Sequence, residues 1–361
     1  MIKVLVIDDS ALVRKLLGHV LSSESDFEVS FARNGLEGLD LLDKVKPDVV
    51  TLDVYMPQMD GLACLNRIMI ERPCPVVMVS SLTRDGAETT LEALRLGAVD
   101  FVAKPEGAVS LQMEVFAPEF LGKVRSAAGA KLKASVRLRD RVQHRIGGVA
   151  SLRCMAHGNE KTNARATGEG IVLIGTSTGG PPALEAVLTP LPSTFSWPVV
   201  ITQHMPASFT GPLARRLNGL CAIGVTEVMR PTLLKPGCAY IGRGDADVVV
   251  SRRAGGLIAK PAPAETGYPW HPSTNRLVRS AMEHVFPGQL IGVLLTGMGN
   301  DGAEAMTRLH ELGGRTIAEA EETAIVWGMP GELAKANGAD WILPLQQIAE
   351  QLKQLAPLAC L

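Results

Sequence analysis

Short apolar runs alternate with helix-compatible segments along most of the chain. In the first third, the apolar runs cover residues 2–7, 47–52, 75–79 and 99–103, and segments with helical patterns begin at Ser10 and Gly35. Apolar runs of this length, bounded by turn residues, are typical of buried parallel strands. Strands that alternate with helices indicate βαβ units, so we predict a parallel α/β domain over residues 1–122.

The same alternation returns over residues 170–354. Apolar runs cover residues 171–174, 198–203, 289–296, 315–319 and 341–344. This pattern predicts a second α/β domain, doubly wound around a mostly parallel sheet. Two short runs on either side of residues 243–246 suggest a hairpin, and Ser208 is expected to cap the helix that follows the second run.

Composition adds limits on compartment and partners. The 361 residues are 46% hydrophobic and 20% charged, with a net charge of −1, so the chain as a whole is not drawn to nucleic acid or to anionic membranes. The six cysteines form no C-x-x-C pair, which argues against a zinc site or a disulfide framework. Neither a signal peptide nor a membrane-spanning segment is visible, and we expect a soluble, cytoplasmic protein.

Residues 123–169 differ from both flanking regions and are predicted to form a basic, flexible linker. Eight basic residues between positions 123 and 145 are opposed only by Asp140, and Gly, Ala, Ser, Asn and Thr dominate thereafter. The segment is either a solvated tether or a weak, salt-sensitive contact for an acidic partner. It lacks interleaved aromatic residues, so binding to nucleic acid is not expected.

Polar side chains follow four apolar runs of the first domain. These residues are Asp8, Asp9, Asp53, Ser80 and Lys104. Because the carboxyl ends of parallel strands meet at one edge of a sheet, the side chains should converge there. Crowded carboxylates repel one another unless a cation lies among them, and oxygen ligands suit Mg²⁺, which also binds phosphate oxygens.

These residues lie in motifs that resemble the receiver domain of response regulators. The motifs are D-V-Y-M-P-Q-M-D-G around Asp53, V-S-S around Ser80, and F-V-A-K-P around Lys104. The resemblance implies a flavodoxin-like (βα)5 fold. It also implies that Asp53 accepts a phosphoryl group from a histidine kinase, that Asp8, Asp9 and Asp53 hold Mg²⁺ together with the Tyr55 carbonyl, and that Ser80 and Lys104 contact the phosphoryl oxygens.

Three strand ends of the second domain carry Ser177, His204 and Asp301. A serine is a poor nucleophile until an imidazole takes its proton, and a carboxylate fixes the imidazole tautomer. The letters G-T-S-T-G fit the nucleophile-elbow pattern, but the order Ser, His, Asp differs from the order in α/β-hydrolases. His271 is a rival base, although it lies in a proline-interrupted loop rather than at a strand end.

The second domain resembles the catalytic domain of the CheB-type chemotaxis protein-glutamate methylesterases, through I-G-T-S-T-G-G-P, T-Q-H-M-P, L-L-T-G-M-G-N-D-G and W-G-M-P. The resemblance implies Ser177 as nucleophile, His204 as base and Asp301 as orienting carboxylate, with the Met298 N–H as an oxyanion donor and Thr178 close by. The implied reactions are hydrolysis of glutamate methyl esters and deamidation of glutamines on chemoreceptor cytoplasmic helices. The resemblance also implies that these reactions need no cofactor, and that the unphosphorylated receiver packs over the cleft until the chemotaxis histidine kinase phosphorylates it.

Two positions depart from the family pattern. Asn275 stands where many members carry Asp, and Tyr55 stands where many carry Glu, so receptor-facing charge and phosphoryl lifetime are expected to be affected. These departures leave room for an alternative, a response-regulator paralogue of a non-flagellar chemosensory pathway that acts mainly by binding a partner. A DNA-binding regulator would need a basic recognition helix in the second domain, and the sequence offers none.

Overall fold

The computed structural model describes residues 1–81, 83–104, 109–130 and 170–356. The first domain is a five-stranded parallel sheet in the order β2-β1-β3-β4-β5. Its strands are β1 (Ile2–Ile7), β2 (Phe27–Ala32), β3 (Val49–Asp53), β4 (Val76–Ser80) and β5 (Asp100–Ala103). Its helices are α1 (Ala11–Ser22), α2 (Gly35–Val45), α3 (Gly61–Glu71), α4 (Arg84–Leu96) and α5 (Val109–Ala128). The flavodoxin-like prediction for this domain is confirmed.

Short polar side chains cap helices α1 and α2, and the sequence predicts the first of these caps. Ser10 caps α1 by accepting the Val13 N–H at 3.4 Å, and Asn34 caps α2 by accepting the Glu37 N–H at 2.9 Å. Both contacts satisfy backbone donors that have no partner within the helix. Strands β3 and β4 are buried along their whole length, as a parallel sheet covered on both faces requires.

The second domain contains a seven-stranded, parallel sheet in the order β15-β14-β13-β6-β7-β10-β8. Its strands are β6 (Ile171–Thr176), β7 (Val199–Gln203), β8 (Gly224–Val228), β10 (Cys238–Gly242), β13 (Leu290–Leu294), β14 (Arg315–Glu319) and β15 (Trp341–Leu343). The helices are α6 (Gly180–Leu188), α7 (Ala207–Leu220), α8 (Thr274–Met282), α9 (Ala303–Glu311), α10 (Met329–Lys335) and α11 (Leu345–Leu355), with a 3₁₀ turn at Pro287–Gln289.

A small antiparallel sheet joins β9 (Thr232–Leu233), β11 (Asp247–Arg253) and β12 (Gly256–Ala262). The hairpin is β11–β12, with its turn at residues 253–256, so the predicted hairpin around residues 243–246 is wrong. Gly255-Gly256 supplies the turn, and Gly256 has a φ of 122°. The expected cap at Ser208 is also wrong, because α7 begins at Ala207 and Pro206 takes the N-cap position.

Helix α5 extends past the boundary that the sequence suggested. It ends at Ala128, so Lys123 and Arg125, the first basic residues of the predicted linker, lie in the helix. Arg125 pairs with Asp26 at 2.8 Å and with Glu24 at 2.6 Å, both in the turn that precedes β2. Residues 131–169, the rest of the predicted linker, lie outside the described residues.

The two domains pack against each other through α4 of the first and α6 and α7 of the second. Phe101 on β5 lies against Phe209 on α7, with ring centroids 4.2 Å apart. Two ion pairs border this contact: Arg215 with Glu88 at 3.3 Å and Arg216 with Glu92 at 3.4 Å. Across the described ranges, no helix is both long and apolar enough to cross a lipid bilayer.

Candidate active site and phosphorylation site

The candidate triad lies at the carboxyl edge of three neighbouring strands. Ser177 follows β6, His204 follows β7, and Asp301 lies in the loop after β13. In the sheet, β13, β6 and β7 are adjacent. The sheet order therefore brings the three sequence-predicted residues to one edge, where open α/β sheets bind their ligands.

The loop that carries Ser177 is held tightly by its neighbours. The Ser177 N–H donates to the Thr296 carbonyl oxygen at 3.0 Å, and the Gly180 N–H donates to the Ser177 carbonyl oxygen at 2.8 Å. A Cβ at Gly180 would lie 2.0 Å from Gln203 Oε1, and Gly179 has a φ of 76°. Two glycines are therefore required for the chain to turn from β6 into α6.

His204 and Asp301 form a direct pair. His204 Nε2 lies 2.9 Å from Asp301 Oδ2, and the His204 side chain is 10% exposed. Because Nε2 faces the carboxylate, Nδ1 is the ring nitrogen left for the nucleophile. The ring of Trp270 stacks on His204, with an interplanar angle of 1° and centroids 6.0 Å apart.

The Asp301 carboxylate is buried and surrounded by donors. Besides His204, it accepts the N–H of Thr274 at 2.6 Å, the N–H of Asn275 at 3.0 Å and the hydroxyl of Ser273 at 3.0 Å. These groups form the N-terminus of α8, whose dipole also favours a negative charge. Burial raises the pKa of Asp301, but the hydrogen bonds from His204 and the helix outweigh it, so the net pKa is lowered.

Two backbone N–H groups near Ser177 are oriented by the carbonyl groups of their own peptides. The Ser177 carbonyl oxygen accepts Gln203 Nε2 at 2.9 Å as well as Gly180 N. The Gly297 carbonyl oxygen accepts the N–H groups of Gly328 at 3.1 Å and Met329 at 2.9 Å. In a trans peptide the N–H points away from the C=O, so these contacts orient the N–H groups of Thr178 and Met298. Within the described residues, neither N–H has an acceptor.

His271, the rival base, belongs to a separate pair. Its Nδ1 lies 3.0 Å from Asp247 Oδ1, at the start of β11. Asp247 also accepts the Ser273 N–H at 2.7 Å and pairs with Arg276 at 2.6 Å. This cluster supports the start of α8, which in turn holds Asp301.

The receiver contacts the second domain at two residues beside Ser177, the candidate nucleophile. The Thr178 hydroxyl donates to Asp100 Oδ2 at 2.5 Å, and a Cβ built on Gly122 of α5 would lie 3.3 Å from Met298 Cε. Lys123 is 3.7 Å from the other oxygen of Asp100 and donates to the Phe101 carbonyl oxygen at 2.8 Å. One surface of the receiver, formed by β5 and α5, therefore touches both predicted oxyanion residues.

The acidic cluster of the receiver fits a divalent cation. One oxygen from each of Asp8, Asp9 and Asp53 lies within 4.8 Å of the others. Lys104 Nζ lies 2.7 Å from Asp53 and 3.0 Å from Asp8. Burial raises the pKa of Asp53 despite the opposing effect of Lys104. For Lys104, burial lowers the pKa, but the two carboxylates outweigh it and the net pKa is raised. Three carboxylates at this spacing are a ligand set that Mg²⁺ accepts.

Two other predicted residues of the receiver lie beside this cluster, and the Tyr55 N–H donates to Asp53 Oδ1 at 3.4 Å. Ser80 is buried, and its hydroxyl is 3.3 Å from the carbonyl oxygens of Ser81 and Gly86, at the start of α4. Tyr55 is 51% exposed, and its hydroxyl lies 3.4 Å from Thr89 Oγ1. Both side chains thus connect the loops around Asp53 to α4.

Asn275 has an internal role that the sequence did not indicate. Its side-chain oxygen accepts the Ala305 N–H at 3.0 Å, in the first turn of α9. The polar group therefore faces the neighbouring helix. Substituting Asn for Asp at this position removes a negative charge beside Asp301, which Asn275 contacts through its backbone N–H.

Sequence reasoning missed several residues that support the site. They are Gln203, Trp270, Ser273 and Thr296. Gln203 and Thr296 lie inside motifs that were noted, directly beside His204 and the Met298 loop, so their position was a usable signal. Trp270 and Ser273 lie in an irregular loop far along the chain from the three strand ends, and no local pattern places them there.

Both domains match families of known proteins. Residues 172–352 match the family described as CheB methylesterase, and residues 4–116 match the response regulator receiver domain family. A protein-glutamate methylesterase/protein-glutamine glutaminase from Rhodopseudomonas palustris is 56% identical over 353 residues, covering 97% of this chain and 96% of that protein. One from Rhodospirillum rubrum is 52% identical over 353 residues, covering 98% and 95%. The CheB methylesterase catalytic domain of Thermotoga maritima matches with a TM-score of 0.50 and 35% identity, covering 52% of this chain and 100% of that one.

Proposed function

The chain belongs to the protein-glutamate methylesterases that carry a receiver domain, and we propose that it hydrolyses glutamate methyl esters on chemoreceptors under the control of phosphorylation. The observation that carries this proposal is the meeting of Ser177, His204 and Asp301 at adjacent strand ends, with His204 Nε2 2.9 Å from Asp301. Glutamine side chains would be deamidated by the same residues, since the two substrates differ only in the leaving group.

The proposed reaction proceeds through an acyl-enzyme. His204 takes the Ser177 proton through Nδ1 while Oγ attacks the ester carbonyl carbon, and Asp301 stabilises the resulting imidazolium. The tetrahedral intermediate collapses, and the imidazolium gives its proton to the departing methoxide, so methanol leaves. His204 then takes a proton from a water molecule that attacks the acyl-enzyme carbonyl carbon; the bond to Ser177 Oγ breaks, the imidazolium returns its proton to Oγ, and glutamate and free Ser177 result. With glutamine, the leaving group is ammonia.

The oxyanion of the intermediate is assigned to the N–H groups of Met298 and Thr178. Both N–H groups are unpaired within the described part of the chain. Each is oriented by the carbonyl group of its own peptide, whose oxygen accepts two hydrogen bonds. Preorganised donors of this kind commonly contribute about 10²–10³ in kcat each. The Ser177 N–H is unsuited to this task because it already donates to Thr296.

The proposed phosphoryl acceptor is Asp53. Mg²⁺ held by Asp8, Asp9 and Asp53 would neutralise charge on the phosphoryl oxygens when it is bound. Lys104 lies 2.7 Å from the acceptor carboxylate and supplies a second positive charge. Ser80 would rotate from its contact with Gly86 to reach the phosphoryl group, and that change would affect α4, which packs on α6 and α7.

In the unphosphorylated chain the receiver inhibits the esterase by covering the cleft. The contact between Asp100 and Thr178 and the proximity of α5 to Met298 support this proposal, because substrate must approach both residues. The donor of the phosphoryl group is a chemotaxis histidine kinase. The substrate is a methylated chemoreceptor, which the enzyme meets in the cytoplasm without inserting into the membrane or binding nucleic acid.

The test is methanol release from membranes that contain methylated chemoreceptor. The full chain is assayed with and without a small-molecule phosphodonor and Mg²⁺, beside Ser177→Ala and Asp53→Ala. We expect strong stimulation of the wild type, no stimulation of Asp53→Ala, and no release by Ser177→Ala. Equal release by wild type and Ser177→Ala would contradict the catalytic assignment. A folded wild type that is inactive in both states would favour the partner-binding alternative.

A further inference from the structure

Thr296, which follows β13, contacts three consecutive residues of the nucleophile loop. Its carbonyl oxygen accepts the Ser177 N–H at 3.0 Å and the Thr176 hydroxyl at 3.0 Å. Its own hydroxyl donates to the Thr178 carbonyl oxygen at 2.9 Å. Thr296 is 1% exposed, so water does not compete for these bonds.

Two further bonds hold Thr296 itself in place. Its hydroxyl accepts the Val326 N–H at 3.0 Å, and its backbone N–H donates to Glu319 Oε2 at 2.8 Å. Glu319 ends β14 and is fully buried, and its carbonyl oxygen accepts the Trp327 indole N–H at 2.8 Å. A connected path therefore runs from Glu319 through Thr296 to the nucleophile.

We propose that Thr296 is a positioning residue for Ser177 and that Glu319 acts as its support. This inference rests on the proposed esterase function, since it concerns the geometry of the same nucleophile. The polar groups of Thr296 fix the loop on both sides of Ser177, so losing one of them allows Oγ to move relative to His204 and the oxyanion donors. A misplacement of about 1 Å at a reacting atom is enough to reduce kcat by about 10²-fold.

Glu319 acts in this scheme as a hydrogen-bond acceptor and transfers no proton. Glu319→Gln retains a side-chain oxygen that can accept the Thr296 N–H, whereas Glu319→Leu removes it. We therefore expect Glu319→Gln to keep kcat within a few-fold of the wild type and Glu319→Leu to lower it by at least about tenfold. An equal loss in both variants would contradict the acceptor role.

The hydroxyl of Thr296 has a matched control in Thr316. Thr316 is equally buried, and its hydroxyl donates to the Gly338 carbonyl oxygen at 2.6 Å and accepts the Asp340 N–H at 3.1 Å. The two threonines thus make the same kinds of bond. Thr316 lies near the start of β14, at the opposite edge of the sheet from Ser177. Thr296→Val and Thr316→Val remove equivalent groups at and away from the nucleophile.

The experiment compares Thr296→Val, Thr296→Ser and Thr316→Val in the full chain, with a phosphodonor and Mg²⁺ present. Methanol release gives kcat and KM, and the rate at which a fluorophosphonate labels Ser177 is followed by mass spectrometry. We expect Thr296→Val to lower kcat and the labelling rate by about 10- to 100-fold with KM within about twofold, and Thr296→Ser to restore both. Thr316→Val should lower the melting temperature while leaving both rates unchanged.

Two results would overturn the inference. One is wild-type kcat and labelling in a folded Thr296→Val variant, and the other is the same loss in Thr296→Val and Thr316→Val. If Thr296→Val does not fold, the comparison of Glu319→Gln with Glu319→Leu and the labelling rate of Thr296→Ser decide. A wild type that releases no methanol would refute the proposed function, whereas the labelling rates would still test whether Thr296 positions Ser177.

Discussion

Two histidines near the cleft each pair with a buried aspartate, and only one of them is assigned to the triad. His204 faces Asp301 at 2.9 Å and His271 faces Asp247 at 3.0 Å. The neighbouring strands place His204 beside Ser177, whereas His271 lies in the loop that leads into α8. The histidine–aspartate pairing alone therefore does not identify the base. The position of His204 at a strand end beside Ser177 is what favours it over His271.

This difference predicts opposite outcomes for the same substitution. His204→Gln should lower kcat by at least about 10⁴-fold, because no group remains to take the Ser177 proton. His271→Gln should stay within about tenfold of the wild type, because it only weakens the support of α8. Methanol release under phosphodonor measures both. A larger loss in His271→Gln than in His204→Gln would make His271 the base.

The glycine that faces the nucleophile gives a second prediction at this scale. A Cβ on Gly297 would lie 2.8 Å from Ser177 Cβ and 2.5 Å from Met329 Sδ, so the side chains must move apart. We expect Gly297→Ala to lower kcat by about 10²-fold through displacement of Ser177. Gly219→Ala is the control, because within the described residues its added methyl group has no neighbour within 4 Å beyond the adjacent backbone of α7 itself. That control should keep full kcat and gain about 0.5 kcal/mol in unfolding free energy.

At the scale of helices and strands, the N-terminus of α8 and the Asp301 loop stabilise each other. Asp301→Asn places an N–H₂ group among the donors of Ser273, Thr274 and Asn275, so we expect a loss of about 1–3 kcal/mol in unfolding free energy at pH 7. Hydrogen bonds from His204 and the start of α8 hold the native pKa of Asp301 below its ordinary value despite burial, so the ionised carboxylate stabilises the fold above the pKa of the unfolded chain. This contribution disappears as the pH falls through the lowered native pKa.

Urea unfolding of wild type and Asp301→Asn at several pH values measures that dependence. The difference in unfolding free energy between the two proteins should be largest near neutral pH and should shrink as the pH falls below about 4. Asp245→Asn is the control, since Asp245 is exposed and its side chain, within the described residues, accepts one hydrogen bond, from the Ala207 N–H at 3.3 Å. The unfolding free energy of Asp245→Asn should stay within about 0.5 kcal/mol of the wild-type value at every pH. If the loss of unfolding free energy in Asp301→Asn did not change with pH, the ionised Asp301 carboxylate would not be the group that stabilises the fold.

Most parallel strands could be predicted from sequence because their apolar runs and polar ends are local signals, whereas the partly exposed strands β2 and β8 form no such run and were missed. Ser177, His204 and Asp301 were found in this way, since each directly follows a buried run or its loop. The donors around Asp301 could not be found, because α8 reaches the site from a loop about 30 residues before it. The hairpin was misplaced because β10 and β11 look like two paired strands, although β10 joins the parallel sheet. Pairing partners are set by the whole domain, and two short runs do not reveal them.

For the whole molecule, the contact between domains is the feature that sequence could suggest only through family resemblance. In the sequence, nothing distinguishes Phe101 and Phe209 from other apolar residues of β5 and α7. In the structure, their ring centroids lie 4.2 Å apart across the domain contact. Likewise, the sequence alone does not distinguish Glu88 and Arg215 from solvent-exposed charges on helices, although they pair across the contact. The contact surface uses residues whose local pattern fits an exposed or core position equally well, and only the docked arrangement shows the partner.

The ion pairs at this contact predict how firmly the receiver is held. Arg215→Glu with Arg216→Glu turns two attractions, to Glu88 and Glu92, into repulsions, and Arg216→Glu also faces Glu185. Under the proposed inhibition, a shift toward an undocked receiver would expose the cleft. We expect basal methanol release without phosphodonor to rise by about tenfold, while the fully stimulated rate stays unchanged. The same reasoning predicts higher basal activity of the wild type at raised ionic strength.

Reversing the partner charges distinguishes an interface effect from a general effect of net charge. Glu88→Arg with Glu92→Arg, combined with the two arginine reversals, restores opposite charges across the contact and should return basal activity toward the wild-type level. Arg67→Glu with Arg308→Glu is the control, because these arginines pair with Glu71 and Glu311 inside their own helices. It makes the same change in net charge away from the contact and should leave basal activity unchanged. Equal activation by the control pair would show that the receiver is not held by these ion pairs.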